Sequence, residues 1–185
     1  MTAIKDKGVL NMSIVLMGPR GVGKTKVSNI LAEEFKINHI SLDSLRIWKY
    51  RDEMNELGLF PLSEEGHAYV VERTVQDYSH QECILDFGYL HSLYKSEEAA
   101  NKIKNLLQPF KNVILLLPSP EIKESEEILL QMNGQQMGVE QLEIINKENQ
   151  KFLRNPYVET LVKQTVYTKD LSFEEVAERI KKVLV

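Results

Sequence analysis

The chain has few of the features that define several large classes of protein. Its single cysteine, Cys83, excludes an intrachain disulfide and a cysteine-based metal site. It contains no run of about 18 apolar residues, the minimum for a helix that crosses a membrane. Residues 1–11 are mixed in charge and contain no long apolar run, so we expect no secretory leader. These absences predict a cytoplasmic protein that does not contact a membrane.

A strong excess of basic charge is also missing. The chain carries 23 Lys and Arg against 27 Asp and Glu, a formal net charge of −4, and the two signs are mixed along it. Because nucleic acids are held mainly by clustered Lys and Arg, we expect no nucleic-acid partner. A length of 185 residues suits one domain over residues 1–185. We expect a monomer or a weak dimer.

Short apolar runs alternate with longer amphipathic stretches, the pattern of a parallel sheet covered by helices. The runs are rich in aliphatic residues, as expected for strands that are buried on both faces. We therefore predict an α/β fold, a three-layer α/β/α sandwich around a five-stranded parallel sheet. The predicted strands are Ser13–Met17, Ile37–Ile40, Cys83–Phe87, Asn112–Leu117 and Gln164–Tyr167.

The helical patterns lie between these runs, at Lys24–Phe35, Ser44–Leu57, Ser63–Ser79, Glu97–Leu107 and Phe173–Leu184. Residues 121–155 have a different organisation. Two helical patterns, Glu121–Met132 and Val139–Leu153, flank a polar break that is rich in Gly and Gln. Two helices inserted between the last two strands would form a mobile lid.

The segment from Gly18 to Thr25 reads Gly-x-x-x-x-Gly-Lys-Thr, after a predicted strand and at the start of a predicted helix. In this context the sequence is typical of a phosphate-binding P-loop, whose backbone N–H groups and helix N-terminus face a triphosphate. Lys24 would neutralise the β- and γ-phosphates, and Thr25 would offer its hydroxyl to Mg²⁺. We predict that ATP with Mg²⁺ is bound by Gly18, Arg20, Gly21, Val22, Gly23, Lys24, Thr25 and Lys26.

Two aspartates are placed to complete this site. Asp86 ends the third predicted strand and is predicted to bind Mg²⁺ together with Thr25, the alternative being a helix-capping role. Asp43 follows the second strand, and it could act as a helix N-cap or as the base that orients an acceptor hydroxyl. The two roles of Asp43 are compatible with each other. In an open α/β sheet the carboxyl ends of the strands face the ligand, which favours a site role for Asp86.

Several further residues are candidates for contact with the acceptor. Arg46 could bind an anionic group, although basic residues on helices are often only solvated. Gly88 would allow a tight turn beside the nucleotide, the alternative being a purely structural glycine. Arg154 follows the lid and could neutralise the transferring phosphate or clamp a carboxylate, with surface solvation the competing interpretation. We assign catalytic roles to Lys24, Asp43 and Arg154.

The chain resembles the shikimate kinase family of P-loop small-molecule kinases. Three segments carry the resemblance, namely the P-loop, Ile40-Ser41-Leu42-Asp43, and a C-terminal stretch from Arg154-Asn155-Pro156-Tyr157 to Ser172-Phe173-Glu174-Glu175-Val176-Ala177. The resemblance implies a P-loop NTPase fold, ATP binding and phosphoryl transfer. It also implies that Asp43 is the acceptor-side member of the family's aspartate pair.

The chain departs from that family at its substrate site. Ser41 stands at the metal-side aspartate position, Tyr69 at that of a carboxylate-binding arginine, and residues 121–153 contain no arginine. We therefore do not expect shikimate to be the acceptor.

Three functions are consistent with these observations. The first is a kinase that moves the γ-phosphoryl group of ATP to a small hydroxyl-bearing molecule, with closing charge from Arg154, Lys147 or Lys151. The second is a nucleotide-binding switch module with little turnover, whose lid acts on a partner protein. The third is a nucleotide kinase.

Overall fold

The structure is a computed structural model, and it describes residues 12–60, 63–135 and 137–185. Five parallel strands form one sheet in the order β2-β3-β1-β4-β5. The strands are β1 (Ile14–Met17), β2 (Asn38–Ser41), β3 (Cys83–Asp86), β4 (Asn112–Leu117) and β5 (Gln164–Tyr167). The predicted α/β fold with a five-stranded parallel sheet is confirmed.

Helices cover both faces of this sheet. They are α1 (Lys24–Phe35), α2 (Leu42–Trp48), α3 (Arg51–Glu56), α4 (Glu64–Tyr78), α5 (Glu97–Leu107), α6 (Ile122–Gly134), α7 (Val139–Leu153) and α8 (Phe173–Lys181). Short 3₁₀ helices occupy Tyr89–Ser92 and Val158–Leu161. Residues 1–11, on which the absence of a leader was predicted, lie outside the described part of the chain. Within the described part, no helix is both long and apolar enough to cross a membrane.

The alternation of side chains along β1 separates two apolar cores. Val15 and Met17 pack into the core under α4 and α5, while Ile14 and Leu16 pack into the core under α1 and α8. All four side chains are fully buried. Because both faces of the central strand are buried, its sequence is a continuous apolar run and does not alternate with polar residues.

The predicted helix Ser44–Leu57 is divided in the structure. Helix α2 ends at Trp48 and α3 begins at Arg51. Between them Tyr50 is 1% exposed and its hydroxyl donates a hydrogen bond to Asp77 Oδ2 at 2.9 Å. The break occurs because an uninterrupted helix would not place this large side chain in the core while its hydroxyl reaches α4.

The lid consists of α6 and α7, which follow β4 and precede β5 in the chain and pack against each other. This confirms the predicted pair of helices, although Gln136 in the break between them lies outside the described residues. The N-terminus of α8 is also as predicted. Ser172 Oγ accepts the N–H of Glu175 at 3.2 Å and the Glu175 carboxylate accepts the N–H of Ser172 at 2.7 Å, a reciprocal capping box.

Candidate functional site

The phosphate-binding loop joins β1 to α1 at the centre of the sheet. Two of its glycines have backbone torsions that other residues rarely adopt, with φ of 85° at Gly21 and 97° at Gly23. A Cβ atom at Gly21 would also lie 2.2 Å from Asn133 Oδ1, and one at Gly23 would lie 2.4 Å from the ring of Phe173. The conformation therefore requires glycine at both positions.

Lys24 lies inside the loop with 8% of its surface exposed. Its Nζ donates hydrogen bonds to the carbonyl oxygens of Gly18 at 2.8 Å and Pro19 at 2.9 Å. Burial lowers the pKa of this amine, while the negative charges of Asp86 and Asp43 oppose that effect. The loop thus holds a partly desolvated ammonium group where a phosphate would bind.

Thr25 and Asp86 form a second element of the site. Asp86 lies two residues after Ile84 on β3, so it shares the sheet face that packs under α1. Its Oδ2 accepts a 2.7 Å hydrogen bond from Thr25 Oγ1, and His39 Nε2 lies 3.5 Å from the same oxygen.

Burial acts to raise the pKa of Asp86, but its polar neighbours outweigh that effect. The interaction with His39, the charge of Lys24 and the Thr25 hydroxyl together hold this pKa below its ordinary value. Asp86 is therefore an ionised carboxylate at neutral pH, as a magnesium ligand has to be.

Asp43 lies in the first turn of α2, on the other side of the cleft. The N-cap of this helix is Ser41, whose hydroxyl accepts the N–H of Ser44, so the N-cap interpretation of Asp43 is wrong. The Asp43 side chain is 56% exposed, and a Cβ atom at Gly88 would lie 2.4 Å from its Oδ2. The absence of a side chain at Gly88 makes room for this carboxylate.

The pKa of Asp43 is raised from its ordinary value. Partial burial is the largest cause; the negative charge of Asp86 adds to it, and the positive charges of Arg46, Lys24 and Arg20 oppose it. Asp43 is therefore a more basic carboxylate than Asp86, as a group that accepts a proton should be.

The lid contacts the tip of the P-loop through two buried asparagines. Asn149 Oδ1 accepts the backbone N–H of Arg20 at 2.8 Å, and Asn149 Nδ2 donates to the Arg20 carbonyl at 3.0 Å. Asn133 Nδ2 donates to the same carbonyl at 3.3 Å. At the surface, Arg20 forms a 2.8 Å ion pair with Glu148 and lies over the ring of Tyr89. The lid helices are thus attached directly to the loop.

These elements enclose a cleft of about 510 Å³. Most of the residues predicted for the site line it, together with lid and loop residues that were not predicted. The lining consists of Arg20, Gly21, Lys24, Thr25, Asp43, Arg46, Asp86, Gly88, Tyr89, Leu90, Asn133 and Met137.

Other predicted residues lie elsewhere. Val22 is buried in the core, and Lys26 is exposed over the ring of Phe173. Arg154 follows α7, pairs with Glu126, and lines a separate cavity with Ser119 and Phe152. The structure therefore does not bring Arg154 into the cleft, and its catalytic role stays a prediction.

The contributions of Asn133, Asn149 and His39 were not found from the sequence. No spacing marks them, because Asn and His occur in helices and strands for many reasons. The sequence offered one indication for the two asparagines, since they share a helix face with apolar residues of α6 and α7. A polar side chain on such a face is expected to be buried, and a buried asparagine needs hydrogen-bond partners.

The glycine-dependent loop, the buried lysine and the threonine–aspartate pair at the carboxyl ends of a parallel sheet together define a P-loop nucleotide-binding protein. The chain belongs to the ATPase family associated with various cellular activities (AAA), whose family model matches residues 14–133.

Solved structures with the same fold include shikimate kinases, which confirms the predicted resemblance in architecture. A shikimate kinase from Acinetobacter baumannii, in complex with shikimate, is similar over 96% of each chain with a TM-score of 0.62 and 20% identity. A gluconokinase from Sinorhizobium meliloti 1021 is similar over 95% of this chain and 94% of its own, with a TM-score of 0.61 and 17% identity.

Curated relatives match over shorter lengths. A tRNA dimethylallyltransferase from Finegoldia magna is 51% identical over 39 residues, which are 21% of this chain and 12% of that protein. A protein of the same name from Fusobacterium nucleatum is 27% identical over 142 residues, 69% of this chain and 43% of that protein. The chain spans less than half the length of these relatives.

Proposed function

We propose that the protein is a small-molecule kinase that transfers the γ-phosphoryl group of ATP to a hydroxyl group. One observation carries the proposal. Lys24, the Thr25–Asp86 pair and the carboxylate of Asp43 line a single cleft at the carboxyl ends of the strands. Lys24, Thr25 and Asp86 suit the binding of the phosphate donor. Asp43 is not needed for that binding, so its carboxylate is available for the acceptor.

The donor side would hold the triphosphate of ATP. The loop's N–H groups and the N-terminus of α1 offer positive partial charge to the phosphates. Lys24 donates hydrogen bonds to the Gly18 and Pro19 carbonyls. When ATP binds, its ammonium would turn towards the β- and γ-phosphates. Because the amine is mostly excluded from water, its attraction for phosphate would be stronger than that of a surface lysine.

The residues present also fit a magnesium ion. Thr25 Oγ1 and Asp86 Oδ2 lie 2.7 Å apart, and both are hard oxygen ligands of the kind that Mg²⁺ prefers. Two protein oxygens suffice, because Mg²⁺ usually takes its other ligands from phosphates and water. When bound, the ion would neutralise charge on the phosphate oxygens. Thr25 and Asp86 would hold it.

Asp43 would orient the acceptor and receive its proton. The acceptor oxygen forms a bond to the γ-phosphorus, the bond from that phosphorus to the β,γ-bridging oxygen breaks, and ADP leaves. The hydroxyl proton passes to Asp43 Oδ1 or Oδ2 and then to solvent. Arg46 and Gly88 line the same side of the cleft and are the proposed neighbours of the acceptor.

The experiment is a screen of ATP consumption with Mg²⁺ against a panel of hydroxyl-bearing metabolites, with shikimate and gluconate included. We expect one class of acceptor to stimulate ADP release by wild type and not by Asp43→Asn. Tight ATP binding without stimulation by any acceptor in a broad panel would contradict the kinase proposal.

A nucleotide-dependent switch is the second candidate, favoured by the attachment of the lid to the P-loop. Asn133 and Asn149 connect the lid to Arg20, and residues 121–153 carry no arginine to stabilise a transferring phosphate. ATP binding would then move α6 and α7 for a partner protein. A change in lid protection with ATP, without turnover, would favour this candidate.

Two further activities belong in the same screen. A nucleotide kinase is tested by adding nucleoside monophosphates as acceptors. The curated relatives are named for transfer of a dimethylallyl group to tRNA, so a prenyl donor with tRNA forms a third arm. The net charge of −4 disfavours that arm, because tRNA binding relies on clustered basic residues.

A further inference from the structure

His91 occupies an unusual position behind the acceptor side of the cleft. It lies in the 3₁₀ helix Tyr89–Ser92, which follows β3 by two residues and so starts at the same edge of the sheet as Asp86. Its backbone carbonyl accepts a 2.7 Å hydrogen bond from the hydroxyl of the buried Tyr94. The segment that carries His91 is therefore fixed from within the core.

The imidazole of His91 is fully buried, and neither ring nitrogen has a hydrogen-bond partner among the described residues. A buried polar group without a partner destabilises the folded state, so packing alone does not account for histidine here. Nδ1 lies 3.7 Å from Asp43 Oδ1, just beyond hydrogen-bond distance. A small movement of the half-exposed Asp43 side chain would close the gap.

A second imidazole supports the first from behind. The ring of His67 on α4 meets that of His91 edge to face, with 5.2 Å between ring centroids and 87° between planes. Burial lowers the pKa of His67 to about 4, and burial together with His67 and Arg46 holds the pKa of His91 well below its ordinary value. Both rings are therefore neutral at pH 7, and each carries one N–H.

We propose that His91 is the positioning residue of Asp43, its Nδ1–H donating to one carboxylate oxygen so that the other oxygen faces the acceptor hydroxyl. Rotation of the half-exposed Asp43 side chain closes the 3.7 Å separation to hydrogen-bond distance in the protein without substrate. Gly88 allows the carboxylate to approach, since any side chain at that position would collide with Asp43. His67 keeps the His91 ring from turning away.

This assignment rests on the proposed role of Asp43, but its test does not depend on turnover. The pKa of Asp43 is followed by ¹³C NMR of its carboxyl carbon, assigned with Asp43→Asn. The charged groups that act on this carboxylate are Arg46 on its own helix, Asp86 on β3, and Lys24 and Arg20 in the P-loop region. All four are unchanged in the variants compared, so a difference reports on His91.

We expect His91→Leu to raise the pKa of Asp43, because the carboxylate loses its hydrogen-bond donor. His91→Asn places a side-chain N–H near the position of Nδ1 and should return the pKa towards the wild-type value. His80→Leu, at an exposed position, is the matched control. An Asp43 pKa that is unchanged in His91→Leu would overturn the proposal.

If His91→Leu does not fold, the contact between His91 and Asp43 is tested on the histidine side, with His91 unchanged and Asp43 replaced. In wild type the ¹⁵N shifts of His91 should show the Nδ1–H tautomer, and Asp43→Ala, a change at a half-exposed side chain, should move the Nδ1 shift. An unmoved Nδ1 shift, or an Nε2–H tautomer, would overturn the proposal.

With an acceptor from the screen, His91→Leu should lower kcat about tenfold while the KM for ATP stays constant. His91→Asn should recover most of that loss. If wild type shows no acceptor-stimulated turnover, the kinase function fails, and the NMR result still decides whether His91 holds Asp43.

Discussion

Asn149 binds the backbone of Arg20 at both polar groups, accepting its N–H at 2.8 Å and donating to its carbonyl at 3.0 Å. A lid residue thereby completes the hydrogen bonding of a P-loop residue that is 129 positions away in the chain. The position of the lid and the shape of the loop are therefore coupled.

Replacement of Asn149 by Leu should loosen the lid. The change removes two hydrogen bonds to a partly buried backbone unit, a loss of about 1–3 kcal/mol. Hydrogen–deuterium exchange should become faster in α6, in α7 and at Arg20. Asn101→Leu is the same substitution at an exposed position of α5 and should leave lid exchange unchanged. Equal lid exchange in wild type and Asn149→Leu would show that the contact does not hold the lid.

Replacement of Lys24 by Ala should abolish most nucleotide binding. Hydrogen bonds to a charged group contribute roughly 1.5–3 kcal/mol, so the Kd for ATP should rise tenfold to a hundredfold. The measurement is the rise in Tm with ATP concentration, supported by calorimetric titration. Lys104→Ala, which changes an exposed lysine on α5, should retain stabilisation by ATP. Stabilisation of Lys24→Ala equal to that of wild type would contradict the donor site.

Replacement of Asp43 by Asn should lower kcat about a hundredfold or more and leave the Kd for ATP unchanged. In wild type, kcat should fall as the pH drops through the pKa of Asp43, because the protonated carboxyl cannot accept the hydroxyl proton. That pKa is raised by burial, so the fall should begin at a higher pH than for an ordinary aspartate. Asp52→Asn, at an exposed position of α3, should behave as wild type.

The free energy of unfolding should decrease as the pH falls from about 6.5 towards 4. Burial lowers the pKa of His67 to about 4, so in this range the unfolded chain binds a proton that the folded chain does not. The stabilisation is fully present above the ordinary histidine pKa and is lost as the pH falls, by at most about 3 kcal/mol for this residue.

The measurement is chemical denaturation at a series of pH values. His67→Gln should remove its own share of the pH dependence in that range and leave the share of His91, whereas His80→Gln, which changes an exposed histidine, should leave the whole dependence unchanged. A curve for His67→Gln that is parallel to that of wild type would assign the pH dependence to other groups.

The sequence was sufficient to predict the sheet and the place at which Lys24, Thr25 and Asp86 lie together. Asp86 ends β3, and Lys24 and Thr25 begin the helix that follows β1. Parallel strands bring their carboxyl ends to one edge, so local patterns determine where these residues meet. Asp43 was found for the same reason. Its raised pKa and its place over Gly88 depend on tertiary packing, which no spacing reveals.

The lid was predictable as two helices but not in its contacts. The way in which α6 and α7 pack determines that Asn133 and Asn149 face Arg20, while Arg154 faces Glu126. The break at Tyr50 escaped prediction as well, since helical periodicity continues through Ser44–Leu57 and the burial of one aromatic ring decides against it.

The asparagines of the lid determine how strongly ionic strength affects the contact between the lid and the P-loop. Their bonds to Arg20 join neutral amides to neutral backbone groups, which dissolved salt does not screen. The Arg20–Glu148 pair lies at the surface and is exposed to screening. Concentrated salt should therefore weaken the outer edge of the lid contact and leave its buried centre intact, so the lid should stay attached to the P-loop over a wide range of electrolyte concentrations.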